Sequence, residues 1–454
     1  MHNNELTGRT PPADEKKIRK VAIVALGGTS IEWYDFFLYG TAAALVFPKL
    51  FFSSEMPALI ALLASFSTFA VGFIARPIGA VLFGHFGDQV GRKKALVTAL
   101  LLMGAATTLI GCLPSYSQVG PLAAVLLIAL RFAQGLAIGG QWAGAALLVT
   151  ESAPPDKRGF YGSFAQAGAP VGTVLANLAF LIVTASLDPE AFMSWGWRIP
   201  FLASIALIAL ALYVQLKLEE TAAFKELQES RSAQPAHPRV AKSPVIEVLR
   251  SDGRKVLLAA GAFIACQATY YILDAFLTAY GTSPDGLALS RETMLVAVLL
   301  GSIVMVPALL FAARWSDRHG RKGIYIAGAV LLAIWAFAIF PLMETRSILW
   351  ISVAVGIGKI CIAMMYGPQA ALLSELFGTR LRYSGASLAY QLGAIAGGAA
   401  APLIATGILV EFGSTFGISI YIAVTCLITV ASMLALPETH MPATRSSVAQ
   451  MRSA

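Results

Sequence analysis

The stretch Gly84-His-Phe-Gly87-Asp88-Gln-Val-Gly91-Arg92-Lys93 is answered by Arg314-Trp-Ser-Asp317-Arg318-His-Gly320-Arg321-Lys322, with the two aspartates 229 positions apart. Each is a short basic loop enclosed by long apolar sequence. A second echo has the same spacing: Glu151 followed by Arg158-Gly159-Phe-Tyr-Gly-Ser, and Glu375 followed by Arg382-Tyr-Ser-Gly-Ala-Ser, offset by 224. Gly168-Ala-Pro170-Val-Gly172 has a looser counterpart in Gly393, Gly397 and Pro402. Duplication at about half the length of a 454-residue chain predicts two copies of one helical unit.

Outward from these loops the sequence is apolar. The chain is 57% hydrophobic and only 13% charged, against roughly 45–50% and about 25% in soluble domains. That excludes an ordinary soluble enzyme, and neither disorder nor a fibrous repeat fits the composition. A helix needs about 20 apolar residues to cross a bilayer, because its backbone must satisfy its own hydrogen bonds there. Twelve such spans are predicted near 21–50, 58–84, 95–113, 121–149, 159–186, 198–216, 254–281, 292–314, 323–342, 347–374, 384–410 and 413–436. The fold class is therefore an all-α integral membrane protein of two pseudo-symmetric six-helix bundles, residues 21–216 and 254–437. Residues 1–20 form an N-terminal tail, 217–253 a central loop and 438–454 a C-terminal tail. The apolar stretch behind the N-terminal tail is too long for a signal-peptide core, so the N-terminus is expected to stay uncleaved.

The lysines and arginines orient this map. With both termini in the cytoplasm, 26 of the 33 fall on cytoplasmic loops and tails, against Lys49, Arg198, Arg291 and Arg346 on the other face. This is the positive-inside pattern, so the net charge of +8 reports orientation and no nucleic-acid partner. Cys112, Cys266, Cys361 and Cys426 lie in apolar sequence without CxxC spacing and read as packing residues. No metal site, catalytic constellation or cofactor is predicted, and the absence of a Gly-x-x-x-x-Gly-Lys-Ser/Thr loop excludes ATP as the energy source.

Two loops of the Gly-x-x-x-Asp-x-x-Gly-Arg-Lys kind within twelve spans resemble the major facilitator superfamily. More narrowly, Glu32-Trp-Tyr-Asp35-Phe-Phe-x-Tyr39-Gly40, Arg76-Pro77-x-Gly79, Arg131-x-x-Gln134-Gly135 and Tyr383-Ser-Gly-Ala-Ser resemble the metabolite:proton symporter family, from about Val21 to Pro437. That family includes shikimate, α-ketoglutarate, citrate and proline/betaine permeases. The resemblance implies a secondary transporter in a bacterial inner membrane, with a small-molecule substrate, protons and the lipid bilayer as partners, working as a monomer. One departure stands out: Gly139-Gly140-Gln141-Trp142 has a neutral amide where family members commonly carry Glu.

Six ionisable residues remain inside the spans: Glu32, Asp35, Arg76, Arg131, Asp274 and Lys359. Each costs about 2.5–3.5 kcal/mol or more at mid-bilayer, so three acids against three bases predict that they pair or share networks in the interior when no ligand is bound. Glu32 and Asp35 share a helix face with Tyr39 one turn on, and two close carboxylates favour holding one proton. They are the expected proton site, and the resemblance implies that Asp35 couples to Arg131. Arg131, Gln134 and Gln141 form one stripe able to donate to a carboxylate. Lys359 lies 228 residues after Arg131 and is expected to pair with Asp274. Arg76, Tyr39, Gln267, Tyr270, Tyr366, Tyr390 and Gln391 complete the expected substrate contacts, with Tyr271 and Gln369 beside them. The superfamily resemblance further implies a cytoplasmic gate of Asp88, Arg92, Glu151 and Arg158, echoed by Asp317, Arg321, Glu375 and Arg382.

The expected function is proton-coupled uptake of a small polar metabolite, an organic acid because three cations line the expected cavity. Three alternatives remain: a proline/betaine-type zwitterion symporter, disfavoured by a 17-residue tail without heptads, a proton-coupled exporter, and a non-transporting receptor.

Overall fold

The computed structural model describes residues 15–90, 92–139, 141–206, 208–209, 244–378 and 381–440. In the first half, α1 (Glu15–Leu45), α2 (Ala58–Val90), α3 (Arg92–Gly111), α4 (Leu122–Ile138), α5 (Gln141–Ser152) and α6 (Arg158–Ser186) follow one another, and residues 199–206 are helical. In the second half come α7 (Pro244–Tyr271), α8 (Leu277–Thr282), α9 (Arg291–His319), α10 (Arg321–Glu344), α11 (Ile348–Leu376), α12 (Arg382–Gly393), α13 (Ala400–Phe412) and α14 (Phe416–Ala435). Among the described residues nine helices are long and apolar enough to span a membrane, and two shorter apolar ones cover Val97–Gly111 and Leu122–Ile138. Large apolar side chains such as Ile74, Leu257, Phe311 and Leu427 point outward, as a hydrocarbon solvent requires.

Several boundaries differ from the sequence expectation. The fourth span is broken: α4 ends at Ile138, Gly139 is its C-cap and α5 begins at Gln141. The seventh begins at Pro244, ten residues before the expected start, and bends at Asp252, whose φ of −127° and ψ of 19° are not helical. Both the seventh and eleventh spans contain a π-helical turn, Ile272–Phe276 between α7 and α8 and Ala394–Ala399 between α12 and α13. Such turns re-aim side chains and cluster at functional sites.

Small residues allow the bundles to close. A Cβ at Gly139 would collide with the Arg76 carbonyl, and one at Gly172 would stand 2.7 Å from the Tyr34 amide and 2.8 Å from the Trp33 carbonyl carbon. These two positions bring α4 against α2 and α6 against α1 at backbone distance. Gly320, at φ 97°, makes the turn between α9 and α10 and belongs to the repeated loop quoted above.

The two halves meet through an aromatic layer. Phe37 of α1 stacks on Tyr270 at 5.3 Å, and Tyr271 meets Phe73 of α2 at 5.2 Å and Phe69 at 5.6 Å.

Candidate functional site

Two small internal cavities lie at successive depths along α1. The first is lined by Glu32, Trp33, Phe36, Arg76, Ile138, Tyr390 and Gln391. The second, a turn further along α1, includes Phe37, Gly40, Thr41, Thr173, Asn177, Tyr271 and Asp274 in its wall. Both take residues from each half, and the aromatic layer lies between them.

Arg76 comes from α2, which carries Pro77 inside it. Its side chain is 1% exposed, with Cζ 4.3 Å from the centre of the Phe36 ring and 4.5 Å from that of Phe73. Among the described residues the Nε and Nη2 atoms have no hydrogen-bond partner. Cation–π contact offsets part of the cost of burying this charge. It leaves two directional donors unused beside a cavity.

Arg131 of α4 sits in a comparable aromatic cage: its Cζ lies 4.1 Å from the Tyr39 ring centre, 4.4 Å from Phe36 and 4.8 Å from Phe69. Gly72 leaves the room, since a Cβ there would stand 2.6 Å from Arg131 Nε. Arg131 Nη1 donates to Gln134 Oε1 at 3.1 Å, and Gln134 Nε2 donates to Thr107 Oγ1 at 2.7 Å. The Thr107 hydroxyl stands beside the Asp35 carboxylate. Asp35 Oδ1 accepts from Ser204 Oγ at 2.7 Å.

In the first half the expected pairing takes the form of a shared network. Among the described residues Asp35 makes no ion pair with Arg131; two side chains, Gln134 and Thr107, stand between them. The reason is rotational: α1 turns Asp35 toward residues 199–206, which Tyr34 also holds by donating to the Pro200 carbonyl at 2.8 Å. Aromatic faces take the place of carboxylates around both arginines. Asp35 lines neither cavity, whereas Glu32 lines the first, together with Arg76.

The expected pair in the second half is present. Lys359 Nζ of α11 lies 2.5 Å from Asp274 Oδ1 in the π-helical turn, and it donates to Ser302 Oγ at 2.9 Å. Both partners are buried, at 0% and 8% exposure. The same ammonium lies 4.4 Å from the Tyr270 ring centre. Thr173 of α6 donates to Asp274 Oδ2 at 3.4 Å and shares a 2.9 Å hydrogen bond with the Tyr270 hydroxyl, so the pair touches the opposite half.

The other expected contacts divide. Tyr39 is committed to Thr68, hydroxyl to hydroxyl at 2.7 Å, besides flooring Arg131. Gln391 Nε2 donates across the halves to the Gly139 carbonyl at 3.1 Å and still lines the first cavity with Tyr390. Gln267 and Tyr366 stand next to the Tyr390 hydroxyl. Gln369 accepts from Gln166 of α6 at 3.1 Å. The side chain of Gln141 lies outside the described residues.

At the end of the bundle marked by the repeated loop, Asp317 accepts from the backbone amides of Gly159 and Phe160 at 2.8 Å each. Arg321 Nη1 reaches Asp317 at 2.6 Å and its Nη2 reaches Glu375 at 3.0 Å. Arg382 meets Glu151 across the halves at 3.4 Å. This cross-half contact arises because α5 and α12 face each other at this end. The side chains of Asp88 and Arg92 lie outside the described residues. Sequence reasoning missed Glu438, which accepts from the Arg321 and Lys322 amides at 2.8 and 3.1 Å. It also missed Thr439, donating to Glu375 at 2.8 Å, and His440, donating to the Asp317 carbonyl at 2.8 Å. The only signal was an acid placed just after the last apolar span.

Comparison with known proteins agrees with this fold. The family model of the Major Facilitator Superfamily matches residues 25–397 and again 287–452. The chain is 40% identical to the inner membrane metabolite transport protein YhjE of Escherichia coli K12 over 427 residues, 93% of this chain and 94% of that protein. It is 41% identical to the shikimate transporter of the same organism over 430 residues, covering 93% and 95%. Among solved structures, a partially occluded, inward-open xylose transporter XylE from E. coli superposes with a TM-score of 0.69 at 18% identity, over 94% of this chain and 99% of that one. Two helical halves joined by an aromatic layer, spans whose few charges are buried, and these matches together make the chain a multi-pass membrane transporter, not an enzyme, and a member of the major facilitator superfamily.

Proposed function

We propose that this transporter carries a small organic acid inward together with protons, by alternating access between its two halves. The observation that carries the reading is Arg76: a buried guanidinium that has no carboxylate partner among the described residues, with two unused donors beside a cavity that both halves wall. A guanidinium fork suits a carboxylate. Tyr390 and Gln391 offer hydroxyl and amide groups to the rest of the ligand, and Phe36 and Trp33 an apolar wall. The similarity to a shikimate transporter supports an acid.

The reading places the repeated-loop end and both termini in the cytoplasm of a bacterial cell, on the strength of the positive-inside bias. Residues 21–216 and 254–437 are then the two moving bodies, 217–253 their cytoplasmic connection, and 1–20 and 438–454 cytoplasmic tails of a monomer. In this frame Asp317, Arg321, Glu375, Glu151 and Arg382 hold the cytoplasmic end shut.

A second reading has its own observation. Glu32 lines the same cavity as Arg76, so a zwitterion such as proline or betaine has a group for each charge.

Proteoliposome currents with shikimate, α-ketoglutarate, citrate, protocatechuate, betaine and proline separate the two. An inward current with one acid that grows with external acidity and is lost in Arg76→Ala supports acid symport. Current with betaine or proline alone replaces it with the zwitterion reading.

A further inference from the structure

We propose that Lys49 and Arg291 form an outer capture site for the carboxylate of the substrate, with Arg291 leaving the Phe192 ring as the outer end opens and taking the anion instead. The site rests on the organic-acid reading and the orientation above, and adds an outer station for the same ligand.

The outer face holds Lys49, Arg198, Arg291 and Arg346 as its basic residues. Arg198 is spent locally: its Nη1 and Nη2 donate to the Ser194 and Leu113 carbonyls at 2.8 and 3.0 Å. Lys49 and Arg291 are not spent in this way. They come from different halves, Lys49 from the short helix Phe47–Leu50 behind α1 and Arg291 from the first position of α9. Packing nevertheless brings them close enough for the guanidinium to repel the ammonium. Among the described residues neither makes an ion pair or a side-chain hydrogen bond. The charge that offsets Arg291 is Glu292, its neighbour in the chain. Bringing two cations together costs free energy, and a face kept poor in basic residues gains nothing from it in orientation.

What holds Arg291 is a ring. Its Cζ lies 4.7 Å from the ring centre of Phe192, a fully buried residue of the helix Pro189–Ser194 in the first half. A cation over an aromatic face gains electrostatically, but the N–H donors of the fork receive no acceptor from it. The contact crosses the seam between the halves, as Arg382 with Glu151 does at the other end. The two ends differ in kind. Opposite charges draw the inner end together, whereas repulsion between Lys49 and Arg291 favours parting of the outer end. A carboxylate placed between the cations removes that repulsion and supplies the two acceptors that a guanidinium fork matches.

The position suits arrival from outside. The second cavity takes Thr41 from α1 and Asn177 from α6, the elements that lead outward to Lys49 and Phe192. Two positive charges over this way in raise the local concentration of anions and their rate of arrival, and salt screens the effect.

The test compares initial rates of shikimate uptake into proteoliposomes, outer face out, at low and high ionic strength. Lys49→Gln and Arg291→Gln are each expected to raise KM a few-fold at low ionic strength, and together about tenfold, with turnover unchanged. High salt is expected to shrink the difference. Arg346→Gln, which removes a charge elsewhere on the same face, is expected to keep the wild-type KM. Should Arg291→Gln not fold, Lys49→Gln, at an exposed residue, carries the salt test. A second readout is independent of transport: Lys49→Cys, in a background lacking the four native cysteines, is modified by a negatively and a positively charged methanethiosulfonate. The anionic-to-cationic rate ratio is expected to fall several-fold when Arg291→Gln is added, and to persist with Arg291→Lys. An unchanged KM in Lys49→Gln/Arg291→Gln, a KM effect that salt does not shrink, or an unchanged reagent ratio overturns the proposal while leaving acid symport standing. Uptake of betaine or proline alone overturns acid symport, and capture of a carboxylate with it. If shikimate is not carried, the acid that gives current in the panel above takes its place.

Discussion

The carboxylate of Asp317 joins the two halves at one end of the molecule by accepting the Gly159 amide, with Phe160 as the second donor, both at 2.8 Å. Asp317 belongs to the repeated loop of the second half and Gly159 opens the fifth span of the first. The first amides of a helix have no partner within it, and the helix dipole adds to their attraction for an anion. Arg321, completely buried, holds the same carboxylate from behind at 2.6 Å.

Asp317→Asn is therefore expected to open this end. Hydrogen bonds to a charged group contribute about 1.5–3 kcal/mol each, so losing the charge shifts the open fraction roughly tenfold or more. Ala313→Cys, in a background lacking the four native cysteines, reports it: the Ala313 carbonyl lies 2.8 Å from where a Gly159 Cβ would stand. Maleimide labelling should speed up several-fold in Asp317→Asn. An unchanged labelling rate contradicts the role.

Glu438 caps the helix that follows the same loop, so the tail segment is part of the closure. Replacing a helix cap costs about 0.5–2 kcal/mol. Glu438→Ala is expected to accelerate labelling at position 313 less than Asp317→Asn does, and to lower thermal stability modestly, as measured by the melting of purified protein. Labelling at the wild-type rate would leave Glu438 with a local capping role only.

The two caged arginines are predicted to behave differently. Arg76→Lys keeps the charge but loses the fork, and should raise KM for the acid by roughly ten- to hundredfold if it meets a carboxylate. Arg131→Lys breaks the connection through Gln134 and Thr107 toward Asp35, and should lower the turnover rate with little change in KM. Initial rates across a substrate series, taken for both variants, separate the two outcomes; equal effects on KM would put both arginines on the ligand.

Gly172→Val tests the backbone approach of α1 and α6. The added carbons meet Trp33 and Tyr34 backbone at under 3 Å, and overpacking of this kind costs about 1–3 kcal/mol. Lower yield of monodisperse protein and an earlier melt are expected. Gly253→Val, where a Cβ meets nothing within 4 Å, serves as the neutral control.

Much of this architecture was legible from the chain itself because its causes are local in sequence. A bilayer imposes the length and apolarity of each span, so the spans and the duplicated loops can be read without knowing what touches what. The same reasoning picked out Glu32, Asp35, Arg76, Arg131, Asp274 and Lys359, since any charge left in such a span is costly enough to require a purpose. It also matched Asp274 with Lys359.

The tertiary structure decided everything that depends on the rotation of one helix against another. Periodicity puts Asp35 and Glu32 on one face of α1, but helix packing turns Asp35 to Ser204 and leaves Glu32 in a cavity with Arg76. Stacking on Phe36, which brings two guanidiniums to one ring, has no counterpart in spacing, because the rings come from helices far apart in the chain. The break at Gly139, the π-helical turn under Asp274 and the docking of Glu438 onto the repeated loop likewise arise from close approach between segments. Composition and hydropathy set which residues enter the membrane; only packing sets which of them meet.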